Sequence, residues 1–142
     1  MANLDTFRRE AAAWLEANAA REIVGLLSSE LDGNWGGRGA TFEPPAMKAW
    51  LERMAAKGWT APTWPIEYGG GGLSAEEAKA LAQEMAKLRL PAALIGFGLS
   101  MIGPTLLQFG SDAQKREHLP KICRGEIRWC QGYSEPDAGS DL

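Results

Sequence analysis

The chain has 142 residues, of which 45% are hydrophobic and 23% charged, and its formal net charge is −3. This composition is typical of one globular domain and lacks the clustered basic residues of nucleic-acid-binding proteins, so we expect no nucleic-acid partner. No secretory signal pattern is visible, and glycine and proline interrupt the most apolar stretch, residues 90–107, so we expect a cytoplasmic protein without a membrane span.

The chain has two cysteines, Cys123 and Cys130, and one histidine, His118. Two cysteines are too few for a disulfide framework, and neither lies at a metal-ligand spacing from the histidine. We therefore expect both cysteines to be reduced packing residues and expect no metal site. His118 is interpreted as a surface residue near the C-terminus of a helix, where the helix dipole favours its protonated form, rather than as a catalytic group.

The N-terminal region predicts an amphipathic helix over residues 4–18. Apolar side chains recur there at helical spacing, and charged side chains such as Arg8 and Glu16 fall on the opposite face. That face is not basic, so we expect the helix to pack on a core rather than on a membrane.

Residues 21–42 are predicted to be irregular. Leucines at their start indicate a short helical turn, but four glycines between positions 33 and 39 break any regular pattern. Trp35 could pack back on the body of the protein. Loops of this length are usually functional or mobile, and both interpretations remain open.

Pro44 and Pro45 predict the start of a second helix, and Gly58 predicts its end. Within it, an apolar stripe is interpreted as core, namely Met47, Trp50, Leu51 and Met54. Residues 59–73 then form a connector rich in proline and glycine. Its four consecutive glycines are not followed by the GK[ST] of a phosphate-binding loop, so we interpret them as a flexible turn.

Two capping boxes predict the next helix starts, Ser74 with Glu77 and Ser111 with Gln114. Between them, the nearly uniform apolar run after Pro91 predicts a helix buried on most sides, followed by a short helix over residues 104–109. The helix that begins at the second capping box is predicted to end at Pro120.

The spacing of apolar residues changes from helical to alternating at position 127. A period of two residues, which is typical of a β-strand, is set by Ile127, Trp129, Gln131 and Tyr133 in alternation with Arg128, Cys130, Gly132 and Ser134. A single strand cannot complete a sheet, so we expect the chain to be all-α with one unpartnered strand at its C-terminal end.

Residues 132–142 read GYSEPDAGSDL and resemble the flavin-binding signature of the acyl-CoA dehydrogenases. Two further segments resemble that family in the expected order: residues 57–74, KGWTAPTWPIEYGGGGLS, and residues 103–131, GPTLLQFGSDAQKREHLPKICRGEIRWCQ. Each segment is weak alone, whereas the ordered set is specific. Asp137 departs from the glycine that many members have at this position.

The resemblance implies a helical N-terminal domain over residues 1–126 and the beginning of an incomplete middle β domain over residues 127–142. It further implies FAD as cofactor, an acyl-CoA substrate, and an electron-transfer flavoprotein or similar acceptor. We expect a homodimer or homotetramer, or a hetero-oligomer. The implied reaction, known from fatty acid β-oxidation, removes the α proton and the β hydride of the thioester to give the trans-2-enoyl-CoA.

Carried over by position, the resemblance makes five residues cofactor-binding: Gln131, Tyr133, Ser134, Gly139 and Ser140. Ser140 is also the implied substrate contact, and Glu135 is interpreted as part of the motif's scaffold. The family's catalytic carboxylate comes from a C-terminal bundle, and no residue of this chain matches it. We therefore expect these 142 residues alone to bind FAD weakly and to be inactive.

The helical segments between Leu81 and Leu107 are expected to line one side of the acyl pocket. Two alternatives remain open. The chain could be a non-catalytic or partner-dependent subunit that acts as an assembly module, or it could belong to an oxidase or hydroxylase on the same scaffold.

Overall fold

A computed structural model of the chain describes residues 2–26, 29, 33–132 and 136. The described residues form α-helices α1 (Ala2–Asn18), α2 (Ala46–Lys57), α3 (Ala75–Lys87), α4 (Gly103–Phe109) and α5 (Asp112–Cys123), with short 3₁₀ turns at Arg21–Ile23 and Ile66–Tyr68 and a π-helical turn at Gly98–Ile102. The expectation of an all-α body is confirmed. No helix in these ranges combines the length and the apolar character needed to cross a bilayer.

The predicted helix signals at α2, α3 and α5 are confirmed. α2 begins after Pro45 and ends at Gly58, whose positive φ of 78° is the left-handed conformation that suits a glycine after a helix. Both capping boxes form, with Ser74 Oγ accepting from the N–H of Glu77 and Ser111 Oγ accepting from the N–H of Gln114. These bonds satisfy backbone donors that the first helical turn leaves free.

Two clusters of buried side chains hold the chain together. The first lies among α1, α2 and α3 and contains the predicted stripe of α2; Trp50 at its centre donates its indole N–H to the carbonyl of Pro91, 3.1 Å away. The second lies between the connector and α5 and contains Ala61, Trp64, Tyr68, Leu119, Ile122 and Cys123. Leu99 packs against both clusters, so the segment after Pro91 joins them.

The connector is a packed structure, and its interpretation as a flexible turn is wrong. The backbone N–H groups of residues 69–73 all donate to carbonyls of residues 61–66. A Cβ at Gly70 would collide with the carbonyl oxygen of Trp64, so this turn requires a residue without a side chain. The glycines therefore permit close backbone packing between the two clusters.

The continuous buried helix predicted after Pro91 is not observed. Residues 92–96 have no helical structure, and Gly96 has a φ of +129°, which no helix accepts. Instead of helical bonds, the Ile95 N–H donates to the carbonyl of Asn34, and the Asn34 side chain donates to the carbonyl of Ala93. Apolar composition alone indicated burial, but Met101 is 44% exposed.

The predicted end of α5 at Pro120 is also wrong, because the helix continues to Cys123. A proline inside a helix costs about 3 kcal/mol or more through its missing N–H and its steric clash. The last turn buries Ile122 and Cys123 in the second cluster, and each fully buried side chain of this size contributes roughly 1.5–3 kcal/mol. Burial therefore outweighs the break that the proline would otherwise cause.

The β-strand predicted from Ile127 is not present among the described residues. Residues 126–132 run without helix or sheet pairing. Burial alternates over residues 127–130, since Ile127 and Trp129 are half-buried while Arg128 and Cys130 are exposed, but Gln131 is exposed and does not continue the pattern. A strand is defined by its hydrogen-bonded neighbour, and no segment within the described ranges pairs with these residues.

Replacing Leu15 in α1 with alanine should lower the free energy of unfolding by about 2–5 kcal/mol. The Leu15 side chain is fully buried in the first cluster, so its removal leaves a cavity. Chemical denaturation followed by tryptophan fluorescence measures the change. The matched control is Glu16→Ala, at the exposed neighbouring position of the same helix, which should change stability by less than about 0.5 kcal/mol. An equal decrease in the free energy of unfolding in both variants would contradict the assignment of Leu15 to the core.

Candidate functional site

A groove of about 350 Å³ lies between the π-helical turn with α4 on one side and the segment Trp129–Gly132 on the other. Its helical wall is formed by Phe97, Met101 and Thr105, with Ile102 beside them. The first three are spaced four residues apart, which places them on one face over about 12 Å of helix. These residues fall within the stretch that was expected to line an acyl pocket.

The π-helical turn brings the two walls of the groove together. Gly98 is buried in this turn, and a Cβ built there would lie 3.2 Å from Cδ1 of Trp129 and 3.0 Å from the side chain of Ile122. The absence of a side chain at Gly98 therefore allows Trp129 to lie against the helix. Single π-helical turns are frequent at functional sites.

Trp129 is the half-buried side chain that separates the groove from the second cluster. His118 meets its ring edge to face, with ring centroids 5.5 Å apart. His118 is thus a half-buried packing residue of α5. The indole nitrogen of Trp129 is buried and has no hydrogen-bond partner in the part of the chain that the structure describes, an uncommon state for a buried donor.

A second apolar cavity, of about 420 Å³, lies on the other side of Phe97. It is lined by Trp35, Leu99, Ser100 and residues 94–97. Trp35 therefore packs back on the body of the protein, as its position in the glycine-rich loop suggested. A third cavity, of about 420 Å³, lies on the outer side of that loop, where Arg38 and Arg128 face it.

The predicted site residues are only partly within the described chain. Gln131 is exposed and lines the groove. Tyr133, Ser134, Gly139 and Ser140 lie outside the described residues, as does Glu135. Sequence reasoning did not identify Arg128 as part of this region. The available signal was its position beside aromatic residues in an alternating segment.

Charges near the groove are few. Just before the segment 127–132, Arg124 and Glu126 form an exposed ion pair with Nε and Oε1 2.6 Å apart, and this hydrogen bond holds the pKa of the Glu126 carboxyl below its usual value. No group of three or more potential metal-ligating side chains occurs in the part of the chain that the structure describes. The walls of the groove are mostly apolar.

The two cysteines differ in environment. Cys123 is buried, and burial raises the pKa of its thiol to about 11. Cys130 is exposed at the groove, so the expectation that it is a packing residue is wrong.

Residues 5–126 match the family model described as "Acyl-CoA dehydrogenase, N-terminal domain". The chain is 41% identical over its whole length to acyl-CoA dehydrogenase IpdE1 of Mycobacterium tuberculosis, covering 36% of that protein, and 39% identical to IpdE1 of Mycolicibacterium smegmatis, covering 35%. The chain therefore spans about a third of the length of these curated relatives.

Two solved structures are also similar. The first is titled Tcur3481-Tcur3483 steroid ACAD; it has a TM-score of 0.61 and 30% identity, with 99% of this chain and 34% of that chain covered. The second is the ChsE4-ChsE5 complex from Mycobacterium tuberculosis, with a TM-score of 0.62 and 29% identity over 99% of this chain and 32% of that chain.

A thiol reagent such as iodoacetamide at pH 8 should modify Cys130 quickly and Cys123 only after unfolding. The thiolate is the reactive form, and a thiol whose pKa is about 11 is almost entirely protonated at this pH. Mass spectrometry of peptides, with and without denaturant, measures both rates. A Cys130→Ser variant is the control and should show no fast reaction. Equal rates at the two thiols in the folded protein would contradict the assigned environments.

Proposed function

Because the chain belongs to the acyl-CoA dehydrogenase family, we propose that it forms one wall of the active site of an FAD-dependent dehydrogenase that converts an acyl-CoA to the trans-2-enoyl-CoA. The observation that carries this proposal is the apolar groove between the face of Phe97, Met101 and Thr105 and the segment Trp129–Gly132. This segment leads directly into the motif that resembles the flavin signature.

The groove has the properties needed to hold an acyl chain. Ligand sites in proteins have volumes of roughly 300–1,000 Å³ and mostly apolar walls with a few polar groups. Here the walls carry four large apolar side chains, those of Phe97, Met101, Ile102 and Trp129, and Thr105 and Gln131 supply the polar groups. In this proposal the chain binds and orients the substrate and keeps water from the reacting carbons.

The residues at the end of the groove are compatible with the proposed cofactor. Gln131 is exposed there, so its amide is available to the polar edge of a flavin ring, and a Cβ at Gly132 would have open space around it. We assign the same role to Tyr133, Ser134, Gly139 and Ser140, with Ser140 also contacting substrate. When bound, FAD supplies the hydride acceptor of the reaction.

The proposed proton transfer requires a catalytic carboxylate, and no residue of this chain corresponds to the one that the family uses. The thioester carbonyl acidifies the α C–H, and a carboxylate base must take that proton while hydrogen bonds hold the charge on the carbonyl oxygen. The family-model match over residues 5–126 supports a division between a helical domain and a β domain that begins at residue 127. In this division the helical domain forms the wall of the groove that holds the acyl chain.

A tryptophan at Thr105 should lower kcat/KM at least tenfold for acyl-CoA substrates without displacing the flavin. Thr105 is an exposed residue of the groove wall, so the larger side chain fills the groove. Loss of visible flavin absorbance on addition of a panel of straight, branched and steroid acyl-CoAs measures the reaction. The matched control is Ala86→Trp, at an exposed position of α3.

The flavin is tested in the protein as expressed from its gene, together with any partner it needs. If no acyl-CoA in the panel reduces this flavin, the proposed dehydrogenase activity is wrong. Equal losses in the Thr105 and Ala86 variants would instead show that the groove is not where the acyl chain binds.

A second candidate is a partner-dependent subunit of the same family. It is favoured by one finding, since one of the similar solved structures is the ChsE4-ChsE5 complex. Native mass spectrometry after expression alone, and after co-expression with products of neighbouring genes, tests it. The subunit should gain stoichiometric flavin only with its partner. Full flavin loading and turnover in a homo-oligomer would exclude this candidate.

A further inference from the structure

Phe97 is the shared wall of the two apolar cavities. It lines the groove of about 350 Å³ together with Met101 and Thr105, and it lines the cavity of about 420 Å³ together with Trp35 and Leu99. Between them only a narrow space remains, lined by Phe97, Trp35 and Trp129. Each cavity alone is near the lower end of the range for ligand sites, whereas the two joined would be much larger.

Trp35 holds the Phe97 ring in place. The two rings meet edge to face, with centroids 5.4 Å apart and an interplanar angle of 81°. Such pairs contribute roughly 0.5–1.5 kcal/mol beyond the burial of area. The Arg128 guanidinium lies over the Trp35 ring, 4.7 Å from its centroid, so Trp35 itself has a second contact.

Gly96 allows Trp35 to reach this position. A Cβ at residue 96 would lie 2.9 Å from Cε3 of Trp35, closer than real Cβ atoms approach other atoms. The φ of +129° at the same residue also excludes other amino acids without strain. The glycine next to Phe97 is therefore required by both the backbone and the neighbouring ring.

The glycine-rich loop is tied to the body on both sides of Trp35. The Ile95 N–H donates to the carbonyl of Asn34 at 2.9 Å, and the Gly37 N–H donates to the carbonyl of Gly125 at 2.9 Å. The first bond fixes the loop that carries Trp35 against the segment that carries Phe97, and the second fixes it against the turn that follows α5. The loop thus forms the outer wall of the second cavity.

We propose that Phe97 is a specificity-determining residue that closes the groove and sets the maximum size of the acyl group, with Trp35 as its positioning residue. This inference rests on the proposed binding of an acyl-CoA in the groove. Removal of the Phe97 ring connects the groove to the second cavity. The enlarged site then accepts acyl groups that are longer or bulkier than those the parent protein prefers.

The test is Phe97→Ala in the flavin-loaded protein, with any partner it needs. For each variant, kcat/KM and calorimetric Kd are measured with a short straight-chain acyl-CoA and with a polycyclic acyl-CoA. We expect the ratio of polycyclic to short-chain kcat/KM to rise at least tenfold, with a parallel change in the Kd ratio. Phe97→Leu and Trp35→Leu should change both ratios in the same direction by a smaller factor.

Two further variants separate cavity opening from a general loss of packing. Phe109→Ala removes the same side chain at a position that is 75% exposed at the end of α4, and it should leave both ratios unchanged. Adding Ser100→Phe to Phe97→Ala places a ring beside the second cavity, which Ser100 lines, and should reverse the gain. Near-UV circular dichroism of the tryptophans verifies folding of each variant.

The outcomes distinguish this inference from the proposed function. Ratios that stay within twofold in folded Phe97→Ala and Phe97→Leu, while the parent protein binds acyl-CoA, would overturn the role of Phe97 alone. Turnover is not required for this comparison, because the Kd ratios report on the cavity directly. If the parent protein binds no acyl-CoA, both the role of Phe97 and the proposed function are wrong.

Discussion

The packing of the connector between the two clusters of buried side chains is the constraint on which the rest of the structure depends. Trp59 belongs to the first cluster, whereas Trp64 and Tyr68 belong to the second. Backbone bonds from residues 69–73 to residues 61–66 hold the turn that carries Trp64 and Tyr68, and the Trp59 N–H donates to the carbonyl of Met54 in α2. A side chain at Gly103 would collide with the Trp64 ring, so the start of α4 is positioned by the same tryptophan.

The groove follows from this arrangement. Once Trp64 positions α4, the face that carries Met101 and Thr105 points away from the second cluster, and Met101 is left 44% exposed. α5 then brings Ile122 against Gly98 and leaves Trp129 beside the π-helical turn. The groove walls are therefore held by buried contacts outside the groove, an arrangement that keeps a binding site open without requiring a ligand to organise it.

Sequence patterns predicted the elements whose signals are local. The capping residue Ser74 and the stop at Gly58 act through their own backbone neighbours, so their roles could be read directly. The helix predicted after Pro91 failed because a uniformly apolar run has no period, and because Gly96 is fixed by the distant ring of Trp35. The predicted end of α5 at Pro120 failed for a similar reason, since the burial that stabilises the last turn of this helix depends on contacts remote in sequence. The groove was anticipated only through family resemblance, because residues 97–105 and 129–132 meet only in the folded chain.

The segment 127–132 contacts two surfaces and has no sheet partner among the described residues. Trp129 lines the groove, and the adjacent Arg128 lies over Trp35 of the glycine-rich loop. The adjacent residues Arg128 and Trp129 thus connect the two regions. The loop therefore contributes to the shape of the groove through the contact between Trp35 and Phe97, although no described residue of the loop lines the groove itself. A change in loop length would therefore move Trp35 and, through its contact with Arg128, the segment that precedes the flavin-like motif. In this fold the size of the proposed acyl site is thus coupled to the segment proposed to bind the cofactor.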